Sequence, residues 1–236
     1  ELTKKILNEI PNSSIKRILF ASTAAVYGFN KDKKISEDSL KSPKSPYGKS
    51  KLDVEKFMIN FLKTTKVNFV ILRLFNVAGA NTASKLGPYN SDYNHIFNKL
   101  IRNKEFKIFG TNYDTLDGSA VRDYVHPDDV SESFYKSYVY LFKNKTNEIF
   151  NCGAGKPFSV KKVVNLFLKH IDYKLNIRYG KRRPGDPSYI LSQNKKIKKK
   201  LNINFNKSNL ENIIVSLIAW KKILNNKTFD KKIRLK

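Results

Sequence analysis

The sequence predicts an α/β fold built on a doubly wound parallel sheet. Helical and strand-like periodicities alternate through the first 75 residues. The two strand-like runs, IKRILFA (15–21) and VNFVILRLF (67–75), are apolar nearly throughout instead of alternating. Strands buried on both faces read that way, and the helices between them supply the cover. A chain of 236 residues is long enough for one large domain or two small ones with a real core.

Leu2, Ile6 and Ile10 recur at helical spacing until Pro11 stops the helix. The strand 15–21 ends at Ser22-Thr23 and leads into AAVYG. A lysine-rich loop follows and closes with Pro43 and Pro46. Residues 47–65 are expected to be a helix, with Leu52, Val54, Phe57, Met58, Phe61 and Leu62 on its apolar side. Beyond Gly79 the periodicity loosens into a loop over 79–93, with a turn at Gly87-Pro88. A helix near 94–103 precedes the short strand FKIFG. Pro127 opens a helix whose start suits Asp128 and Asp129 electrostatically. NEIFNCGAG reads as another strand, Ser159 as the cap of a helix over 160–171, and 208–224 as a last helix with Trp220 in the core.

The net charge is +26, from 46 basic and 20 acidic residues. Such a surface could attract polyanions. Only 8 of the basic residues are arginine, however, and Asn and Ile are abundant. Lysine, asparagine and isoleucine share A/T-rich codons, so we read the charge as composition drift with no specific nucleic-acid partner. The densest run, Lys195–Lys200, lacks the interleaved aromatics that stack on bases and reads as a solvated face. One cysteine, Cys152, excludes an internal disulfide, and three scattered histidines argue against a metal site. No apolar run is long enough to span a membrane, and no apolar leader opens the chain. We expect no membrane partner and a cytoplasmic location. The chain opens on Glu1, not methionine, so we expect it to belong to a longer protein.

The strongest chemical signal is Tyr47-Gly-Lys-Ser-Lys51. Tyr47 and Lys51 stand at i and i+4, so they share a helix face. A free phenol is a poor base near neutrality. A neighbouring ammonium stabilises the phenolate, which can then take a proton from a sugar hydroxyl. Ser22 and Thr23, at a strand end some two dozen residues earlier, offer hydroxyls to bind and relay at the same oxygen.

With these residues in place the sequence resembles the extended short-chain dehydrogenase/reductases, that is, the NAD-dependent epimerase/dehydratase family. The resemblance lies in ASTAAVYG (21–28), SPYGKSK (45–51), LRLFNVAGA (72–80), FGTNYDTLDGSAVRDYVHPDD (109–129), IFNCGAG (149–155) and RRPGD (182–186). It implies the C-terminal part of a Rossmann-type parallel sheet over 1–78. A smaller α/β substrate-binding region would cover 79–236, with about 121–156 packing back on the sheet. It implies Tyr47 as the catalytic base, Lys51 as its partner and Thr23 as a proton relay. Tyr47, Lys51 and Ser22 would face the NAD cofactor. Thr23, Asn76, His95, Arg122, Arg183 and Asp186 would hold a UDP-sugar, Asn94 fitting nearly as well as His95. Tyr189 and Ile190 fall where sugar size is selected.

The activity implied is 4-epimerisation, interconverting UDP-glucose and UDP-galactose through a 4-keto sugar. The related dehydratases carry an Asp-Glu pair after the threonine; here Ala24 and Ala25 stand there, and neither can move a proton. Leu74 replaces a tyrosine common in close epimerase relatives. The alternatives are another nucleotide-sugar epimerase or reductase of the family, or an inactive piece that only binds nucleotide-sugar or polyanions. No GxxGxxG is present; Gly153-Ala-Gly155 lies late in the chain and has Phe158 where a GxGxxG needs its third glycine, and Phe150 excludes a P-loop. The family places that motif, with the first strands, ahead of the Thr23 strand. The resemblance also implies a homodimer, formed through a four-helix seam that includes helix 47–65.

Overall fold

The computed structural model of the chain describes residues 2–30, 32–62, 64–81, 83, 85–88, 95–102 and 104–225. They form two compact units. The first comprises 1–75, 130–155 and 190–204; the second comprises 76–129, 156–189 and 205–236.

Unit 1 is built on a parallel sheet of three strands: β1 (Arg17–Thr23), β2 (Asn68–Leu74) and β6 (Glu148–Cys152), in the order β1-β2-β6. The central strand β2 is buried from Phe69 to Arg73, as its apolar run requires. β1 was read as equally buried, but it is only half-covered and its Ala21 is exposed. It lies at the edge of the described sheet, with a strand on one side only. The register pairs Arg17 with Asn68 and Thr23 with Leu74, so Ser22 and Thr23 belong to the strand and Ile15 and Lys16 precede it.

Helix α1 (Leu2–Glu9) and helix α2 (Pro46–Leu62) cover one face. Leu7, Ile10, Val54, Met58 and Leu62 pack there on Phe69 and Ile71. Ser45 caps α2, its hydroxyl accepting from Gly48 N at 3.0 Å, and Pro46 takes the first helical position, where a missing N–H costs nothing. The helix stops at Leu62, three residues short of expectation. Thr64 and Thr65 turn their hydroxyls onto the carbonyls of Phe61 and Leu62, which closes the last turn. Helix α6 (Lys195–Leu201) also belongs to this unit. It contains the basic run read as a solvated face, but Ile197 and Leu201 are buried beneath it. Lys196 and Lys200 both pair with Glu148.

Unit 2 is held by a core in which Phe97, Leu100, Tyr124, Phe167, Ile213 and Leu217 are all at most 2% exposed. Its helices are α3 (Ile96–Arg102), α5 (Val160–Leu168) and α7 (Leu210–Asn225). Ser159 caps α5 through Lys162 N at 3.1 Å. α5 ends at Leu168, where Lys169 N bonds Leu166 O. β3 (Asn76–Val77) runs parallel to β5 (Val121–Val125), which pairs antiparallel with β7 (Pro157–Ser159). β4 (Glu105–Phe109) pairs with β8 (Asn176–Gly180). Helix α4 (Pro127–Asn144) carries the chain from unit 2 into unit 1, and the short β9 (Tyr189–Ile190) carries it from unit 2 into unit 1 a second time.

Candidate active site

The residues singled out from the sequence fall into two groups, one in each unit. In unit 1 they gather where β1 ends and α2 begins. Tyr47 stands in the first turn of α2, directly after Pro46, with its side chain 56% exposed. One turn on, Lys51 Nζ donates to Ala21 O at 2.9 Å and lies 5.8 Å from the Tyr47 ring centroid. The i, i+4 face inferred from the sequence is therefore docked on the end of β1. Thr23 is extended and opens a one-turn 3₁₀ helix (Ala24–Val26), its Oγ1 accepting from Ala25 N at 3.2 Å. Gly48 brings α2 against that turn: a Cβ there would sit 2.6 Å from Ala25 O, so only glycine permits this approach.

Ser22 points elsewhere. It is 2% exposed, and its hydroxyl donates to Glu55 on α2. Glu55 also accepts from Arg73 on β2, with Nη2–Oε2 at 2.7 Å and Nε–Oε1 at 3.1 Å. Arg73 Nη1 donates in turn to the Tyr27 hydroxyl at 2.8 Å, and Tyr27 donates to Asn151 Oδ1 at 2.6 Å. Burial pushes the Tyr27 phenol up to about 12, so it stays protonated and able to donate. This network escaped the sequence reading. An arginine inside an apolar strand was its one signal.

In unit 2, Asn76, His95, Arg122, Arg183 and Asp186 line one pocket of about 200 Å³. Asn76 Nδ2 donates to Asp123 O at 3.0 Å, which orients its amide. Arg122 Nη2 meets Asp186 Oδ1 at 2.5 Å, while its Nη1 donates to Val121 O and Pro187 O. Arg122 thus holds the 186–187 loop onto β5 and keeps fewer donors for a ligand than expected. Arg183 lies over the Phe109 ring, its Cζ 4.0 Å from the centroid. That stacking lets an arginine present its edge to an anion. Phe109, at the end of β4, is a platform the sequence did not announce. Asn94 lies outside the described residues.

His95 packs between Phe97 and Tyr124, at centroid distances of 5.8 and 6.3 Å. The residue as a whole is half-buried, but its Nε2 is sealed from solvent. Burial pushes the imidazole from the usual 6.5 down to about 4. Above pH 6.5 the folded and unfolded chains both hold it neutral, and nothing is lost. As pH falls toward 4, the unfolded chain takes up a proton that the folded one resists, and stability drops by up to about 3 kcal/mol. His126, also depressed by burial, adds a loss of the same sign. Denaturant midpoints measured from pH 7 to 4 should fall, and His95→Phe should flatten that slope without abolishing it. An unchanged acid slope in the variant would refute the assignment.

His126 is 4% exposed and faces Gly79, where a Cβ would come within 2.5 Å of the ring, so it shapes the 79–81 loop by packing. Among the described residues no group of three His, Cys, Asp or Glu could hold a metal ion.

Residues 1–153 match the NAD dependent epimerase/dehydratase family. The UDP-glucose 4-epimerase of Azospirillum brasilense is 32% identical over 224 residues, which cover 93% of this chain and 64% of that protein. The UDP-glucose 4-epimerase of Halalkalibacterium halodurans is 31% identical, over 93% of this chain and 67% of its own. The crystal structure of UDP-glucose 4-epimerase from Bifidobacterium longum, in complex with NAD+ and UDP, superposes with a TM-score of 0.85 at 27% identity. It matches 95% of this chain and 69% of that one. The chain spans about two thirds of the length of these relatives, and its fold is the parallel α/β arrangement of the Rossmann type.

Proposed function

We propose that this chain, which belongs to the NAD-dependent epimerase/dehydratase family, carries the proton-transfer and UDP-binding residues of a nucleotide-sugar 4-epimerase acting on UDP-glucose and UDP-galactose. The observation that carries the reading is the Tyr47–Lys51 face docked on the end of β1 beside Thr23. In this reading unit 1 is the cofactor side and unit 2 the substrate side.

The residues present suit the nicotinamide-ribose end of a dinucleotide. Lys51 spends one of its three N–H donors on Ala21 O, leaving two for ribose hydroxyls, and the Tyr47 phenol is exposed next to it. Bound NAD would supply the hydride acceptor and donor at the sugar C4. Tyr47 removes the proton from the C4 hydroxyl, and Thr23 Oγ1 hydrogen-bonds that oxygen and relays the proton. The Lys51 cation stabilises the phenolate that accepts this proton, and the charge on the phenol oxygen is discharged as the proton arrives. Ala24 and Ala25 leave no acid–base pair for the elimination that a dehydratase performs.

In unit 2, Arg183 and the remaining donors of Arg122 would meet the diphosphate, and Asp186 and Asn76 the polar groups of the nucleotide. Arg183→Ala should weaken UDP binding by about 1.5–3 kcal/mol, the range for a hydrogen bond to a charged group. Calorimetry at low and high salt tests this, with a smaller loss expected at high salt. Unchanged affinity would remove Arg183 from the site. The reading as a whole is tested by offering UDP-galactose to the whole natural protein and following UDP-glucose.

A homodimer through α2 and α1 belongs to the same reading. Its support is the exposed Leu2 and Ile6 on α1, at 72% and 58%. A cytoplasmic location is proposed with it; no described helix is long and apolar enough to cross a membrane.

A further inference from the structure

Arg73 and Glu55 form an ion pair of which each side chain is at most 2% exposed. Removing two charges from water costs several kcal/mol, and apolar residues of similar volume often serve stability as well or better. The pair's placement gives it another use. Tyr47, Lys51 and Glu55 stand at i, i+4 and i+8, on one face of α2. Ser22 and Arg73 are register partners across β1 and β2. Glu55 accepts from both, so it pins that face of α2 to two adjacent strands, one residue before Thr23. Lys51, donating to Ala21 O, adds a second pin one helical turn away. Two pins a turn apart prevent the helix from sliding or rotating on the strand.

We propose that Glu55, clamped by Arg73 and joined to β1 through the Ser22 hydroxyl, is a positioning residue that sets Tyr47 and Lys51 against Thr23. The inference rests on the reading of those three as the proton-transfer residues. It requires no contact of Glu55 with substrate or cofactor; the residue acts through the register of α2 on β1. Displacements of about 1 Å at a reacting centre can cost a hundredfold in rate, so loss of one pin should be visible in kcat.

Glu55→Gln leaves Arg73 without a counter-charge and risks the fold, so Ser22→Ala is the cleaner variant. It deletes the pin and keeps both the ion pair and the main chain of Ser22. In the whole natural protein, kcat should fall by about tenfold, a fraction of the misplacement cost above. The melting temperature and the affinities for NAD and UDP should stay near wild type, and Ser22→Thr, which restores a hydroxyl, should recover most of the rate. Wild-type kcat in folded Ser22→Ala would overturn the inference. So would a loss appearing only as weaker NAD binding, since that would make Ser22 a cofactor contact. A wild-type protein that fails to interconvert UDP-glucose and UDP-galactose would overturn the functional reading, and this inference with it.

Discussion

Tyr47→Phe, made in the whole natural protein, is expected to lower kcat roughly 10²–10⁴-fold, the usual share of a positioned acid–base group. The substitution deletes one oxygen and no packing. Tyr47 is 56% exposed, so no buried partner is left unsatisfied and the melting temperature should hold. Lys51 keeps its bond to Ala21 O, which does not involve the phenol. The loss should therefore fall on kcat, with UDP affinity intact, because the pocket proposed for UDP is formed by residues of unit 2. Turnover near wild type would remove Tyr47 from the chemistry and transfer the proton to Thr23 or to water.

Much of this site was legible because its residues also encode local structure. Ser45 and Pro46 are a helix start, and a helix started there places Tyr47 in its first turn and Lys51 one turn later. The same letters carry the fold and the chemistry. β2 was legible for a similar reason: four consecutive buried positions, Phe69 to Leu72, leave an unbroken apolar run. β5 was not read as a strand, although VRDYV is one, because Arg122 and Asp123 interrupt its apolar pattern. Arg122 does so for a reason that appears only in three dimensions: it reaches across to the 186–187 loop.

Side chains whose partners are distant in sequence stayed hidden. Asp186 could be assigned to a nucleotide, but its pairing with Arg122 spans 64 positions and alters what both can offer. Ser22 was assigned to the cofactor by the resemblance. Its hydroxyl is spent on Glu55, 33 positions away. Glu55 itself reads as one more charge on an amphipathic helix until the sheet is folded under it. The only local hint was Arg73, a cation inside a run that should be apolar, and such a residue calls for a buried partner of opposite sign.

That pair carries the second large effect. Arg73→Met keeps much of the side-chain volume but leaves the Glu55 carboxylate buried, with only the Ser22 hydroxyl as a donor among the bonds described above. It also removes a donor from Tyr27, whose hydroxyl must then rely on Asn151. Breaking a buried pair from one side costs about 3–5 kcal/mol, because the stranded charge keeps its desolvation penalty. Urea denaturation at pH 7 should register that loss. The double variant Arg73→Met/Glu55→Leu removes both charges and should recover a large part of it, since no stranded ion remains. If the two single losses simply added in the double variant, the pair would not be coupled and the clamp on α2 would have no energetic basis. If the double variant regained stability but kept a depressed kcat, the two roles of the pair would separate: the fold can dispense with these charges, and the alignment of Tyr47 and Lys51 on β1 cannot.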